Sequence, residues 1–377
     1  YWNCAWRSLT KKKGFSVVNI VGLAIGMAAA LLILTYVAFE YSYDDMHSRQ
    51  DRIFRVEARF YENGELTDDW ASSSAGYATA MKQNMSAVEA YTRVGSQYYP
   101  EQVVKYNELL YRETGIGYAE ANFFDFFDFK LLKGNKESCL DGPNKVVITE
   151  RIARKYFKGA DPIGKILIFR SNIGEEACEV TGIMEDMPIN THIRYNLLIS
   201  YKTLPKWMDE YWYRHEVYSY VLLKSANLKT QVEEDFPVMA EKYKTEEALK
   251  NKTWAIQLTN LRDIHLNPQK AYEPEVKGNR SSIWVLICTA LAILCIAWIN
   301  YINMTVARSM ERAKEIGIRR ASGASRRQVI SQFLFESLVT NSIAFILAIG
   351  LMEALMPSFN NPVSYTHLRA HETPEHL

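Results

Sequence analysis

A glycine-containing segment in the middle of the chain comes close to the sequence of a nucleotide-binding loop. It reads Gly159-Ala-Asp-Pro-Ile-Gly-Lys-Ile166, whereas a phosphate-binding loop places Ser or Thr after the lysine to bind magnesium. Such a loop also follows a strand and opens a helix, but here a helical pattern over 151–157 precedes and a strand pattern over 165–169 follows. We therefore predict a helix-to-strand connection, and any ATP chemistry must come from a partner.

Residue types that catalyse reactions or bind metals are present, but they lie outside known motifs. The histidines of the central part are His47, His192, His215 and His265. None of these stands beside a Ser or Cys in a nucleophile motif, and no carboxylate pair can be selected from the sequence. His371-Glu372 and His376 are one residue too far apart for the zinc motif H-E-x-x-H. The sequence supports neither an enzyme nor a cofactor.

The five cysteines lack the two-residue spacing of zinc or redox pairs. They are Cys4, Cys139, Cys178, Cys288 and Cys295. Cys288 and Cys295 fall in an apolar stretch and are predicted to pack as small apolar residues. Cys139 and Cys178 lie in a segment predicted below to be extracytoplasmic, where a disulfide and two free thiols are both allowed.

A basic segment over residues 309–336 carries the most distinctive chemistry of the chain. It is predicted to form two short helices around Gly323, with Met310, Ile316 and Ile318 available for packing. The charged residues predicted to face outward are Arg319, Arg320, Arg326 and Arg327. Their side chains suit lipid phosphate or an acidic protein groove. Simple anchoring of the chain at the membrane is the alternative interpretation.

Three long apolar stretches position this basic segment. They predict membrane helix 1 over 15–42, membrane helix 2 over 281–307 and membrane helix 3 over 329–357. The first is charge-free from Phe15 to Phe39, which exceeds the about 7–15 apolar residues of a cleaved signal peptide. Gly22 and Gly26 form a G-x-x-x-G pair, which predicts close packing of this helix against another.

The charges divide unevenly between the segments that flank these stretches. Residues 1–14 carry four basic residues and no acid, and residues 308–328 are also strongly basic. Residues 43–280 hold 32 Lys and Arg against 36 Asp and Glu. The positive-inside rule therefore places both flanks in the cytoplasm and residues 43–280 outside it. A net charge of +1 with no basic face excludes a nucleic-acid partner.

Residues 43–280 alternate between strand and helix patterns, which predicts an extracytoplasmic α+β domain inserted between two membrane helices. Strands are predicted over 52–60, 146–148, 166–169 and 179–184. Helices are predicted over 119–129, 150–157 and 229–243.

Motifs spread along the chain resemble two related families of membrane permease. Glu315-Ile-Gly-Ile-Arg-Arg-Ala-Ser-Gly-Ala-Ser325, with Gln332-Phe-Leu-Phe-Glu336 after it, resembles the signature of the FtsX-like permease domain. The segments similar to the periplasmic core domain of MacB-type permeases are Val146-Val-Ile-Thr-Glu-Arg-Ile-Ala-Arg-Lys-Tyr-Phe157, Asp161-Pro-Ile-Gly-Lys165 and Val180-Thr-Gly-Ile-Met-Glu-Asp186. Asn19-Ile-Val-Gly-Leu-Ala-Ile-Gly26 and Glu40-Tyr-Ser-Tyr-Asp44 resemble the first span of the same family.

The resemblance implies a permease subunit of an ATP-binding-cassette (ABC) system in the bacterial inner membrane. Four membrane helices are expected for the family, of which three precede the end of this chain. The implied partners are a cytoplasmic ABC ATPase, a second permease copy, and a periplasmic adaptor or substrate protein. The permease would transmit ATPase motion to the outer domain to export or extract a peptide, lipoprotein or toxic amphiphile. The residues assigned to this coupling are Glu315, Gly317, Arg319, Arg320, Gly323 and Arg326.

A membrane sensor with an extracytoplasmic ligand domain is the alternative function. A sensor should continue from the second span into a long cytoplasmic heptad helix, whereas this chain re-enters an apolar stretch after residues 308–328. At the two ends, residues 1–14 predict a short amphipathic cytoplasmic helix. Residues 358–377 are interpreted as a tail, which from about 363 resembles a translated sequencing adapter and is excluded from the functional argument.

Overall fold

The chain divides into two compact units. The computed structural model describes residues 13–95, 101–171, 174–210, 212–215, 217–243, 251–274, 277–307 and 309–369. One unit, here called the helical unit, comprises Tyr1–Phe39 and Arg280–Leu377, and the other, the sheet domain, comprises Glu40–Asn279.

Eight α-helices and thirteen strands occur in the described residues. The helices are α1 (Lys13–Tyr41), α2 (Gly76–Asn84), α3 (Phe123–Phe126), α4 (Glu150–Phe157), α5 (Lys229–Ala240), α6 (Arg280–Ala307), α7 (Ser309–Ala321) and α8 (Arg326–Arg369). The strands are β1 (Ile53–Glu62), β2 (Glu65–Trp70), β3 (Val88–Gly95), β4 (Glu101–Tyr106), β5 (Leu109–Thr114), β6 (Ile116–Ala119), β7 (Leu131–Lys133), β8 (Lys145–Thr149), β9 (Ile166–Ser171), β10 (Gly174–Met184), β11 (Leu197–Ser200), β12 (Val217–Leu223) and β13 (Lys252–Asn260).

Three helices of the helical unit are long and apolar enough to cross a membrane. The qualifying stretches are Ser16–Tyr41, Arg280–Ala307 and Arg326–Pro357. Their apolar side chains are largely exposed, as lipid-facing residues are expected to be, and they meet in a small buried cluster around Leu23, Ala24 and Ala344.

The segment after the second long helix differs from the two short helices predicted around Gly323. Over residues 309–336, α7 is a separate short helix, whereas α8 begins at Arg326 and continues without interruption into the third apolar stretch. Helix α8 also runs past Pro357 to Arg369, so the start of the predicted tail does not coincide with the end of a helix. Of the amphipathic helix predicted over 1–14, only residues 13 and 14 are described, and they open α1.

All thirteen strands of the sheet domain belong to one mixed sheet. Eleven strands follow the order β13-β1-β12-β3-β6-β11-β8-β10-β9-β4-β5, while β2 pairs with β1 and β7 with β10. The pairs β8–β10 and β6–β11 are parallel and the others are antiparallel. Strand β1, the first after α1, pairs with β13, the last before α6, from Phe54 opposite Asn260 to Glu62 opposite Lys252. The two segments that join the domain to the long helices therefore arrive on neighbouring strands.

Three buried clusters form the core of the sheet domain. One packs α2 and α5 against β1 and β13 through Tyr77, Phe236, Phe60 and Trp254. A second collects five phenylalanines between Phe123 and Phe129. The third packs Ile152, Tyr156 and Phe157 of α4 against strands that include β8, β10 and β11. Thr149 caps α4 by accepting a hydrogen bond from the Ile152 N–H, which explains why the helix begins there.

Most predicted elements of the domain are confirmed, including the four strands and the helices over 150–157 and 229–243. The connection between α4 and β9 is also as predicted: Gly164, with φ of +77°, donates its N–H to the Val180 carbonyl at 2.8 Å. The helix predicted over 119–129 is wrong, because only Phe123–Phe126 forms a helical turn. All five phenylalanines there are at most 5% exposed, whereas a longer helix with a solvent-facing side would leave some outside the core.

Candidate functional site

The assigned coupling residues lie on α7, on the turn that joins it to α8, and, for Arg326, at the first position of α8. Gly323 has φ of +90°, a left-handed conformation that glycine adopts without steric cost. Its N–H donates to the Arg320 carbonyl at 3.0 Å, and the Ser322 N–H donates to the Ile318 carbonyl at 3.0 Å. These two bonds satisfy carbonyls in the last turn of α7 and terminate the helix.

The start of α8 is fixed by a reciprocal cap that the sequence analysis missed. The Ser325 N–H donates to Oε1 of Gln328 at 2.9 Å, and the Gln328 N–H donates to Oγ of Ser325 at 3.3 Å. This is a capping box, and its sequence signal was the Ser-x-x-Gln spacing. Both sides of the turn at Gly323 are therefore held by hydrogen bonds.

The surface of α7 mixes positive charge with apolar area. Ile318 is 61% exposed, and Arg320 is exposed on the same helix. A Cβ on Gly317 would meet no atom within 4 Å, so this part of the helix is open to an approaching surface. Glu315 and Arg319 belong to α7, but their side chains lie outside the described set, and Arg326 is exposed in the first turn of α8. An exposed, basic and partly apolar helix of this kind suits protein docking.

The G-x-x-x-G pair of α1 faces α6. A Cβ built on Gly26 would lie 2.8 Å from the Cβ of Ala297, which is closer than two carbons can approach. A Cβ on Gly22 would lie 3.6 Å from Nδ2 of Asn300. Because Gly26 has no side chain, α1 and α6 lie closer together here than a larger residue would allow.

Replacing Gly26 with leucine should separate α1 from α6 and destabilise the helical unit by about 1–3 kcal/mol, the usual cost of overpacking. Thermal unfolding of the protein in detergent would measure the loss. Gly350→Leu is the matched control, because a Cβ on Gly350 of α8 meets nothing within 4 Å. Equal stability of the two variants would contradict the assigned packing role of Gly26.

A cavity of about 370 Å³ opens on the sheet domain beside α2. Its lining residues are Gly76, Thr79, Ala80, Gln83, Asp209, Trp212, Lys242 and Tyr243. The Trp212 and Tyr243 rings stack with centroids 4.2 Å apart, and Asp209 is held by Arg93 at 2.5 Å. The lining of the cavity therefore combines the stacked rings of Trp212 and Tyr243 with the charged groups of Asp209 and Lys242.

Two buried histidines of the domain, His47 and His192, bond to neighbouring polar groups. His192 lies between Oδ2 of Asp44, at 2.6 Å, and the Tyr220 hydroxyl, at 2.9 Å, with all three side chains buried. Burial lowers the pKa of His47 to about 4, so this ring is neutral near pH 7. Asp128 donates its backbone N–H to Nδ1 of His47 at 3.1 Å.

The disulfide that the sequence left open is not formed. Cys139 and Cys178 are free, buried thiols in two different core clusters. Burial raises the pKa of Cys139 to about 11 and that of Cys178 to about 12, so both remain protonated and unreactive near neutral pH.

Comparison with known proteins identifies the family. The MacB-like periplasmic core domain matches residues 16–237, which is more than half of the chain. The chain belongs to the MacB-like permease family. The FtsX-like permease C-terminal domain also matches, over residues 287–371, so both resemblances inferred from the motifs are confirmed.

Two relatives of this MacB-like permease are named as combined ATP-binding and permease proteins. The macrolide export ATP-binding/permease protein MacB of Neisseria meningitidis is 27% identical over 265 residues, covering 68% of this chain and 38% of that protein. The probable syringafactin export ATP-binding/permease protein SyfD of Pseudomonas syringae is 24% identical over 367 residues, covering 94% of this chain and 50% of that protein. The chain therefore spans half or less of the length of these two relatives.

A solved structure shows the same fold in the sheet domain. It is a domain of a permease protein from Porphyromonas gingivalis, with a TM-score of 0.51 and 23% identity, covering 61% of this chain and 96% of that structure. Together with the three apolar helices, these findings make the MacB-like permease a multi-pass inner-membrane protein with an extracytoplasmic α+β domain.

Proposed function

We propose that this MacB-like permease transmits the motion of a cytoplasmic ABC ATPase to its extracytoplasmic sheet domain. The observation that carries the proposal is α7, whose described basic side chains Lys314 and Arg320 are exposed and which the Gly323 turn joins to a membrane-spanning helix. A docked helix held at a fixed angle can move α8 as a lever, whereas a mobile loop cannot. The proposal assigns ATP hydrolysis to a partner, and the ATP-binding/permease names of the two relatives support a link between this permease and ATP hydrolysis.

The proposed cargo is a peptide, a lipoprotein or a toxic amphiphile that is exported or extracted from the membrane. The names of the two relatives, for macrolide and syringafactin export, support an export role. The cavity beside Trp212 and Tyr243 is a place where the apolar part of such a cargo would fit. A second permease copy and a periplasmic adaptor complete the proposed assembly. A sensor is disfavoured because the chain turns at Gly323 into a third apolar helix.

The charge on α7 provides the direct test. Changing Arg319→Glu together with Arg320→Glu should abolish the stimulation of ATP turnover when the permease is reconstituted with its ATPase, since an acidic groove would repel the reversed charges. The matched control reverses two exposed charges of α4, Arg151→Glu with Arg154→Glu, and should leave the stimulation unchanged.

Orientation is checked in the same variants with an impermeant thiol reagent. Asp161→Cys, at a carboxylate whose side chain is 66% exposed, should be labelled from outside, and Ser325→Cys should not. Stimulation that survives charge reversal on α7 in a correctly oriented protein would refute docking through these arginines.

A further inference from the structure

The chain enters and leaves the sheet domain through two residues that lie against each other. Glu40 belongs to the last turn of α1, and Gly278 precedes the first residue of α6 by two positions. A Cβ built on Gly278 would lie 2.5 Å from Oε2 of Glu40. The connections to the two long helices are thus packed together, although 238 positions separate them in sequence.

His265 joins these two connections. Its Nε2 lies 2.9 Å from Oε2 of Glu40, and the two side chains are buried, at 4% and 7% exposure. The ring also stacks on Tyr43, with centroids 3.4 Å apart and the planes 3° from parallel. Separating a buried carboxylate from the imidazole to which it is hydrogen-bonded costs free energy. Neither group can be rehydrated unless the site opens.

Glycine at position 278 is required by the space around it. Besides Glu40, its Cβ would meet Nε2 of His265 at 2.8 Å and Cδ2 of Leu266 at 2.9 Å. Any side chain here must displace the Glu40–His265 pair. Gly278→Ala is therefore a small change that is directed at one buried bond.

Further contacts hold the same two segments side by side. The Asn260 side chain donates to the backbone carbonyls of Gln50, at 3.0 Å, and Asp51, at 3.2 Å. Arg55 of β1 is paired with Glu273 at 2.6 Å, and Glu273 with Lys277 at 2.6 Å, one residue before Gly278. A displacement of one connection must therefore move the other or break buried polar contacts.

We propose that Glu40, His265 and Gly278 form a joint through which the ends of α1 and α6 move the sheet domain as one body. The three are positioning residues, and the inference rests on the proposed coupling function. Without the joint, the ends of α1 and α6 would each move only the strand to which they are connected. Part of the motion would then be lost in relative movement of these two strands instead of moving the whole sheet domain.

The test separates energy use from its transmission. The permease is reconstituted with its ATPase, and amide hydrogen exchange of residues 40–279 is compared without nucleotide and with ATP plus orthovanadate. Gly278→Ala and His265→Phe should keep ATP turnover within about twofold of wild type while losing more than half of the nucleotide-driven exchange difference. His265→Phe keeps a ring against Tyr43, so it guards against misfolding of the glycine variant.

Rescue by a conservative change distinguishes the joint from general destabilisation. His265→Gln keeps a donor that can reach Glu40 and should retain most of the exchange difference. A full exchange difference in Gly278→Ala and His265→Phe would overturn the joint while leaving coupling through α7 intact. If the wild-type permease did not stimulate ATP turnover by its ATPase, the proposed function would be overturned and the joint with it.

Discussion

Gly323→Pro is expected to abolish permease-dependent stimulation of ATP turnover while membrane insertion and orientation stay normal. Gly323 has φ of +90°, whereas the proline ring fixes φ near −65°. Proline also lacks the N–H that Gly323 donates to the Arg320 carbonyl. The turn must therefore adopt another path, and α7 would leave its defined angle to α8 without any change of charge.

The size of this effect follows from what surrounds the turn. The Ser322 N–H, the Gly323 N–H and the Ser325–Gln328 capping box are consecutive hydrogen-bonded features. Proline at 323 also restricts Ser322 to extended conformations, which conflicts with its bond to the Ile318 carbonyl. Two adjacent contacts are lost together, so the helix end itself should unravel.

Two other substitutions at position 323 isolate the backbone conformation from side-chain size. Gly323→Asn should keep most of the stimulation, because asparagine tolerates left-handed backbone and retains the N–H. Gly323→Ala should fall between asparagine and proline, since alanine pays about 1 kcal/mol or more in this conformation. The measurement is ATP turnover by the ATPase partner after reconstitution with each permease variant. Equal stimulation in all three would show that the basic segment serves only as a membrane anchor.

The elements found from sequence were those whose signal is local. The first apolar stretch has no charge from Phe15 to Phe39, which defines a membrane helix without reference to any other part of the chain. Helix α4 was likewise predicted at its observed bounds, 150–157, because one face alone is apolar. The phenylalanines between 123 and 129 misled the prediction because burial on all sides removes the periodicity that distinguishes a helix.

Residues of the candidate sites were likewise predictable only where their signal is local in the sequence. Gly323 was found because a glycine between two helical patterns signals a turn, and the Ser325–Gln328 cap was within reach of the same reasoning. The joint could not be found, because the partners Glu40 and His265 are 225 positions apart and meet only after β1 pairs with β13. A lone buried histidine gives no sequence signal of its partner.

Arg55→Met is expected to destabilise the sheet domain by about 3–5 kcal/mol, a large part of the about 5–15 kcal/mol that stabilises an ordinary domain. The Arg55 side chain is fully buried between Glu57 and Glu273, each 2.6 Å from one of its nitrogens. Lys270 lies 2.8 Å from Glu57, and Lys277 completes the group. Removing the arginine leaves the buried carboxylates of Glu57 and Glu273 with one lysine ammonium each. The free-energy cost of removing these carboxylates from water is then no longer offset.

Denaturant unfolding of residues 40–279 would measure this loss against a matched variant. Arg112→Met makes the same substitution on β5, where the side chain is 71% exposed and its ion pair with Glu101 is 3.2 Å long. That exposed pair should contribute less than about 1 kcal/mol. A similar small loss for both variants would mean that the buried charges are not stabilised by Arg55.

Acid should reduce the difference between wild type and Arg55→Met. Burial alone would raise the pKa of Glu57, but the charges of Arg55 and Lys270 outweigh it and hold that pKa below its ordinary value. A lowered carboxylate pKa stabilises the folded state above the unfolded pKa, near 4.3, and this contribution disappears as pH falls through the folded pKa. Without Arg55 the Glu57 pKa rises, so the variant has less of this contribution to lose on acidification. The two unfolding curves should converge below about pH 4, whereas a loss independent of pH would point to lost packing of the arginine stem rather than to its charge.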